Sequence, residues 1–127
     1  MDSELIFTNQ PIEAPPLSST CREVGAVVEF HGIVREREKE RLLTGLTYEA
    51  YEPMARRVLD SIFADLGRKH PVESVTLIHR LGWIPVGEAS LYVCVRGKHR
   101  GPTLTFCGEL IDRMKADVPI WKMAPPA

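Results

Sequence analysis

Two hydrophobic periodicities alternate along this chain, and their order leaves few architectures open. β-branched and aromatic runs with partial two-residue alternation occupy GAVVEFHGIV (25–34) and LLTGLTYEAY (42–51). Pro53 then opens a stretch in which Met54, Val58, Leu59, Ile62, Phe63 and Leu66 recur at three- and four-residue steps, and Gly67 closes it. That spacing predicts a helix with one buried face. Strand-like runs return in ESVTLIHRLG (73–82) and EASLYVCVRG (88–97), joined through Trp83, Pro85 and Gly87. After KHRGP a second helical face carries Leu104, Cys107, Leu110, Ile111 and Met114, and Pro119 keeps it from running on. The order β-β-α-β-β-α predicts an α+β fold in which two main helices pack on a largely antiparallel sheet.

The 127 residues are expected to form one domain, with residues 1–23 as an extended N-terminal arm because NQPIEAPPLSST (9–20) is rich in proline and small polar residues. The charged loop REREKER (35–41) reads as a mobile hydrophilic connection between the first two strands. A formal net charge of −1 provides no broad field for capturing nucleic acid, so any anion site must be local. No apolar run reaches the roughly 18 residues of a spanning helix, and MDSELIFTNQP lacks a secretory pattern, which points to the cytoplasm and away from a membrane partner. Cys21, Cys94 and Cys107 lack metal-type spacing and read as reduced thiols. No phosphate-binding loop, dinucleotide fingerprint or internal repeat is present.

Cations at the ends of elements are the candidates for chemistry: Arg35 after the first strand, His99 and Arg100 before the second helix, and Lys115 and Lys122 around that helix's far end. His99 and Arg100 stand at a helix start, whose free N–H groups and dipole favour an anion such as phosphate or carboxylate. Lys115 follows Met114 at the edge of the buried face, and Trp121 is expected to anchor the chain and direct Lys122. A lysine held near other cations and partly desolvated becomes a usable base or nucleophile near neutral pH. His79 and Arg80 end a strand and could join this cluster, with a structural role at the sheet end the stronger expectation; His31 reads as an outward strand position, and Trp83 and Trp121 as core or interface anchors. Glu29, Glu49 and Glu52 form no recognisable acid pair.

Five segments in order, GAVVEFHGIVR (25–35), LTYEAYEPMA (46–55), VTLIHRLGWIPVGEASLYVCV (75–95), HR (99–100) and KADVPIWK (115–122), make the chain resemble the large, catalytic subunit of molybdopterin synthase over about residues 24–122. The resemblance implies an α/β hammerhead type of fold and a homodimer in which each copy binds a small ubiquitin-like sulfur carrier, a heterotetramer in all. It implies that the carrier's C-terminal thiocarboxylate supplies two sulfurs to cyclic pyranopterin monophosphate, giving the dithiolene of molybdopterin. On this reading Arg35, His99 and Arg100 hold the substrate's phosphate and pterin, Lys115 is the principal catalytic lysine and Lys122 assists. Sulfur comes from the partner, so no metal or organic cofactor is implied.

The chain departs from the family pattern in EREKERLL after Arg35, where Asn and Gly are usual, in GPTL after Arg100, and in the residues after Lys122, which read MAPPA. A non-catalytic paralogue that keeps dimerisation and carrier binding is therefore the competing expectation. A small nucleic-acid-binding module is disfavoured by the near-zero charge and the lack of an aromatic-basic sheet motif.

Overall fold

The computed structural model describes residues 1–16 and 21–123. Its main sheet has four strands in the order β1-β6-β8-β2, where β1 is Asp2–Thr8, β2 Ala26–Ile33, β6 Ser74–Arg80 and β8 Ala89–Gly97. β6 and β2 flank β8 antiparallel, and β1 runs parallel to β6 with Leu5 opposite Leu77 and Phe7 opposite His79. The expected arm over 1–23 is thus corrected at its start. Residues 2–8 are an edge strand, and only the residues after it leave the sheet; residues 17–20 lie outside the described residues. The parallel pairing is with a strand more than sixty residues away, which no local pattern announces.

Two helices, α1 (Glu52–Lys69) and α2 (Arg100–Asp117), cover one face of this sheet. Strand alternation sends Val75 and Leu77 of β6 and Leu91, Val93 and Val95 of β8 into the layer between, where they meet Leu59, Ile62, Phe63, Leu66, Phe106 and Leu110. The helix faces are rotated slightly from expectation. Met54 and Leu104 are exposed, and Ala55, Thr103 and Phe106 are buried in their place. Thr103 can be buried because its hydroxyl donates to the His99 carbonyl at 2.7 Å. The glycine at 97 permits this approach, since a Cβ there would stand 2.3 Å from Thr103 Oγ1. Gly67 lies within α1 rather than ending it, and His70 caps the helix through its N–H to the Leu66 carbonyl.

The second face of the sheet carries Ile78, Tyr92 and Cys94, packed against Ile6 and Ile12. There the Tyr92 hydroxyl donates to Glu29 Oε2 at 3.0 Å, and the exposed His31 ring packs edge-on against Tyr92. Cys94 and Cys107 are buried, Cys21 is exposed, and none is in a disulfide. Burial pushes the Cys107 thiol up from its ordinary value, which disfavours the reactive thiolate.

A three-stranded sheet, β7-β5-β9, stands beside the first, with β5 at Gly45–Ala50, β7 at Gly82–Pro85 and β9 at Ile120–Met123. Gly82, at φ 84°, turns the chain from the large sheet into the small one, and Gly87, at φ 90°, turns it back. Between β2 and β5 the charged loop is a two-stranded hairpin, β3 (Arg37–Glu38) and β4 (Arg41–Leu42). Lys39 and Glu40 take φ of 49° and 65° at its tip, the left-handed pair that a two-residue turn of this twist requires. The loop reading of 35–41 is corrected accordingly. Among the described residues no helix is long and apolar enough to cross a membrane.

Candidate active site

A cavity of about 630 Å³ opens where the two sheets meet the end of α2. Its wall is built from the end of β2 (Phe30 to Ile33), the start of β8 (Ser90, Leu91), His79 of β6, Tyr48 of β5, Met114 and Lys115 of α2, and Ile120 and Lys122 of β9; Arg35 borders it. The volume lies within the range of small-molecule sites.

Each cation reaches the cavity for a local reason. Met114 is buried and Lys115, one position on, is turned out of the core to the cavity's edge. Val118 then caps α2 through its N–H to the Met114 carbonyl at 3.1 Å, and Pro119 forces the chain into β9. β9 pairs antiparallel with β5, placing Lys122 opposite Tyr48 and Trp121 opposite Glu49. Alternation therefore puts Ile120 and Lys122 on the cavity side and Trp121 and Met123 on the outer side, where both are exposed. Trp121 and Trp83, expected as core or interface anchors, are 54% and 47% exposed in this chain, so neither is a core anchor. The β5–β9 ladder is what directs Lys122. Arg35 follows Val34, which is buried and held by hydrogen bonds to Gly87 and Glu88.

Arg35, Lys115 and Lys122 are thus brought together, but His99 and Arg100 are not. They begin the helix that Lys115 ends, so at 1.5 Å per residue Arg100 and Lys115 are about 22 Å apart. His99 borders a different, smaller cleft with Pro71, Val72, Lys98 and Pro102. Lys115 is also solvent-exposed, so this chain's own fold does not supply the desolvation expected of it.

Two further residues bear on the site. Glu38 of the hairpin accepts a 2.5 Å hydrogen bond from Lys122 Nζ, beside a smaller cleft that shares Lys122 with the cavity. His79 lines the cavity, which is the weaker of the two sequence expectations for it, membership of the cluster, rather than a purely structural strand end. Its Nδ1 lies 2.8 Å from the Arg80 carbonyl oxygen, and its ring packs edge-on against Tyr48 at 5.1 Å. Burial holds its pKa below the ordinary histidine value, opposed in part by the bond to the Arg80 carbonyl. The signal for His79 was its parity with Val75 and Leu77, which face the helices. Arg80 points to the other face, buried, with Nη1 donating to Glu88 Oε1 at 2.7 Å.

Among the described residues no group of three histidine, cysteine or carboxylate side chains is placed to hold a metal ion. The chemistry of the cavity is that of three clustered cations beside a buried imidazole. Such a set recognises an anionic ligand and stabilises negative charge developing on it.

Comparison with known proteins bears on these features. Residues 7–117 match the family model described as MoaE protein. The chain is 41% identical over 98 residues to the molybdopterin synthase catalytic subunit of Oryza sativa, covering 77% of this chain and 51% of that protein. It spans about half the length of the first curated relatives it matches. Its fold superposes on molybdopterin synthase from Staphylococcus aureus with a TM-score of 0.82 at 30% identity, over 98% of this chain and 92% of that one. A complex of subunits 1 and 2 of molybdopterin-converting factor from Helicobacter pylori shares the fold, with a TM-score of 0.74 at 23% identity over 94% and 83% of the two chains. The two-helix, largely antiparallel α+β architecture, the match over residues 7–117 and the similarity to these relatives together place the chain in the MoaE family.

Proposed function

We propose that the chain is the catalytic subunit of a molybdopterin synthase, transferring sulfur from the C-terminal thiocarboxylate of a small ubiquitin-like carrier to cyclic pyranopterin monophosphate in the cytoplasm. The observation that carries this reading is the convergence of Arg35, Lys115 and Lys122 on one cavity of small-molecule size. Arg35 offers a planar fork to the substrate's phosphate. Lys115 acts as acid, base or transient nucleophile at the reacting centre, and Lys122 adds a second positive charge beside it. On this reading the carrier brings the sulfur on its C-terminal tail. Curated relatives bear the same enzyme name, and the Helicobacter pylori neighbour is a two-subunit complex.

His99 and Arg100 cannot share a ligand with Lys115 inside one copy, given the length of α2. Their part in holding substrate belongs to the homodimer, in which they would meet the ligand in a second copy's cavity.

Reconstitution tests the proposal: the purified chain, thiocarboxylated carrier and cyclic pyranopterin monophosphate, with product followed by mass. The wild type should give the doubly sulfurated product. Lys115→Ala should lose about 100-fold or more in rate while melting as the wild type does, because Lys115 is exposed and only its chemistry is removed. Carrier binding without product from either protein would identify a non-catalytic paralogue instead.

A further inference from the structure

The charged side chains bordering the cavity from Arg35, Lys115 and Lys122 are hydrogen-bond donors without acceptor capacity, and a heterocyclic ligand with N–H groups needs more than these. His79 is built differently. Its Nδ1 lies 2.8 Å from a carbonyl oxygen, which can only accept, so Nδ1 must carry the hydrogen. In the neutral ring Nε2 is then bare. Among the described residues no hydrogen bond reaches Nε2, while the residue, only 3% exposed, borders the cavity. Edge-to-face packing on Tyr48 fixes the ring plane, so the lone pair is held in one direction.

We propose that His79 is a substrate-binding residue whose unprotonated Nε2 accepts a hydrogen bond from an N–H of the pterin heterocycle, orienting it while the cations hold its phosphate. This rests on the pterin reading above and adds a residue to it. The lowered pKa of His79 agrees, since a protonated ring would offer a donor and a fourth positive charge where an acceptor is required.

The test uses the full chain labelled with ¹⁵N-histidine. Cyclic pyranopterin monophosphate should move the His79 Nε2 resonance in the direction of an accepted hydrogen bond, and inorganic phosphate alone should leave it in place. Two substitutions separate binding from support. His79→Gln sets an amide oxygen near the Nε2 position and should bind the pyranopterin within about threefold of wild type, whereas His79→Asn keeps a donor for the Arg80 carbonyl only and should bind about tenfold more weakly. A purely structural histidine would make the two variants equally poor. If the pyranopterin binds without moving Nε2 and His79→Asn binds as tightly as wild type, this proposal falls and the sulfur-transfer reading stands. If phosphate binds and the pyranopterin does no better, the pterin reading falls and takes this one with it. Should either variant fail to fold, the resonance of the wild-type ring decides alone.

Discussion

Lys122 Nζ lies 2.5 Å from Glu38 Oε1, so one of the three cavity cations is already paired with a carboxylate of the β3–β4 hairpin. The partners come from β9 and β3, far apart in the chain, and meet because the hairpin folds back toward the small sheet. An anionic ligand must compete with this carboxylate for the same ammonium.

Glu38→Gln should therefore strengthen substrate capture. Lys122 is half-exposed and a pair of this kind is worth about 0–1 kcal/mol, so KM should fall by about two- to fivefold with kcat little changed. The gain should shrink as salt is raised, since screening already weakens the pair in the wild type. Steady-state kinetics at two ionic strengths would decide it, and an unchanged KM at low salt would show that Glu38 does not compete.

The tip of the same hairpin invites a stabilising change. Lys39 and Glu40 both sit at positive φ, a conformation costly for side chains with a Cβ and easily taken by Asn-Gly. Replacing the two residues together by Asn and Gly should stabilise the hairpin by about 1 kcal/mol, which is about fivefold slower amide exchange where opening is local. The Leu43 amide, which bonds the Glu36 carbonyl at 2.8 Å across the hairpin's base, is the reporter. Exchange at an unaltered rate would mean that the tip is not strained.

Titration of His79 should appear in the stability curve. Its folded pKa lies below the unfolded value of 6.5, so protons bind the unfolded chain more readily. The stabilisation from the neutral ring is complete above pH 6.5 and declines as the pH falls from there through the lowered folded value. Thermal melts of wild type should lose stability over this window, and His79→Gln should flatten that part of the curve. A loss of the same size in the variant would assign it to other groups.

Much of the framework was readable from local pattern. The three- and four-residue steps of α1 and α2 located both helices, and the β-branched runs located β2, β5, β6 and β8 to within a few residues. The separation of Arg100 from Lys115 was readable as well, because a continuous helix between them implies about 22 Å. The resemblance grouped the two by motif and passed over that length. Thr103 and Leu104 were confused because hydrophobicity alone ranks leucine for burial, whereas a hydroxyl bonded to His99 is satisfied inside.

By itself the sequence determined what depends on neighbours along the chain: helix periods, the stop at Pro119, the turn at Gly87, and which cations lie at the ends of elements. Tertiary structure decided what depends on partners distant in sequence. The pairing of β9 with β5 turns Lys122 inward and Trp121 outward, and the parallel pairing of β1 with β6 makes a strand of what read as an arm. The packing of β6 among its neighbours places His79 at the cavity wall. A strand has two faces of equal local standing, and only the element laid beside it settles which one meets the ligand.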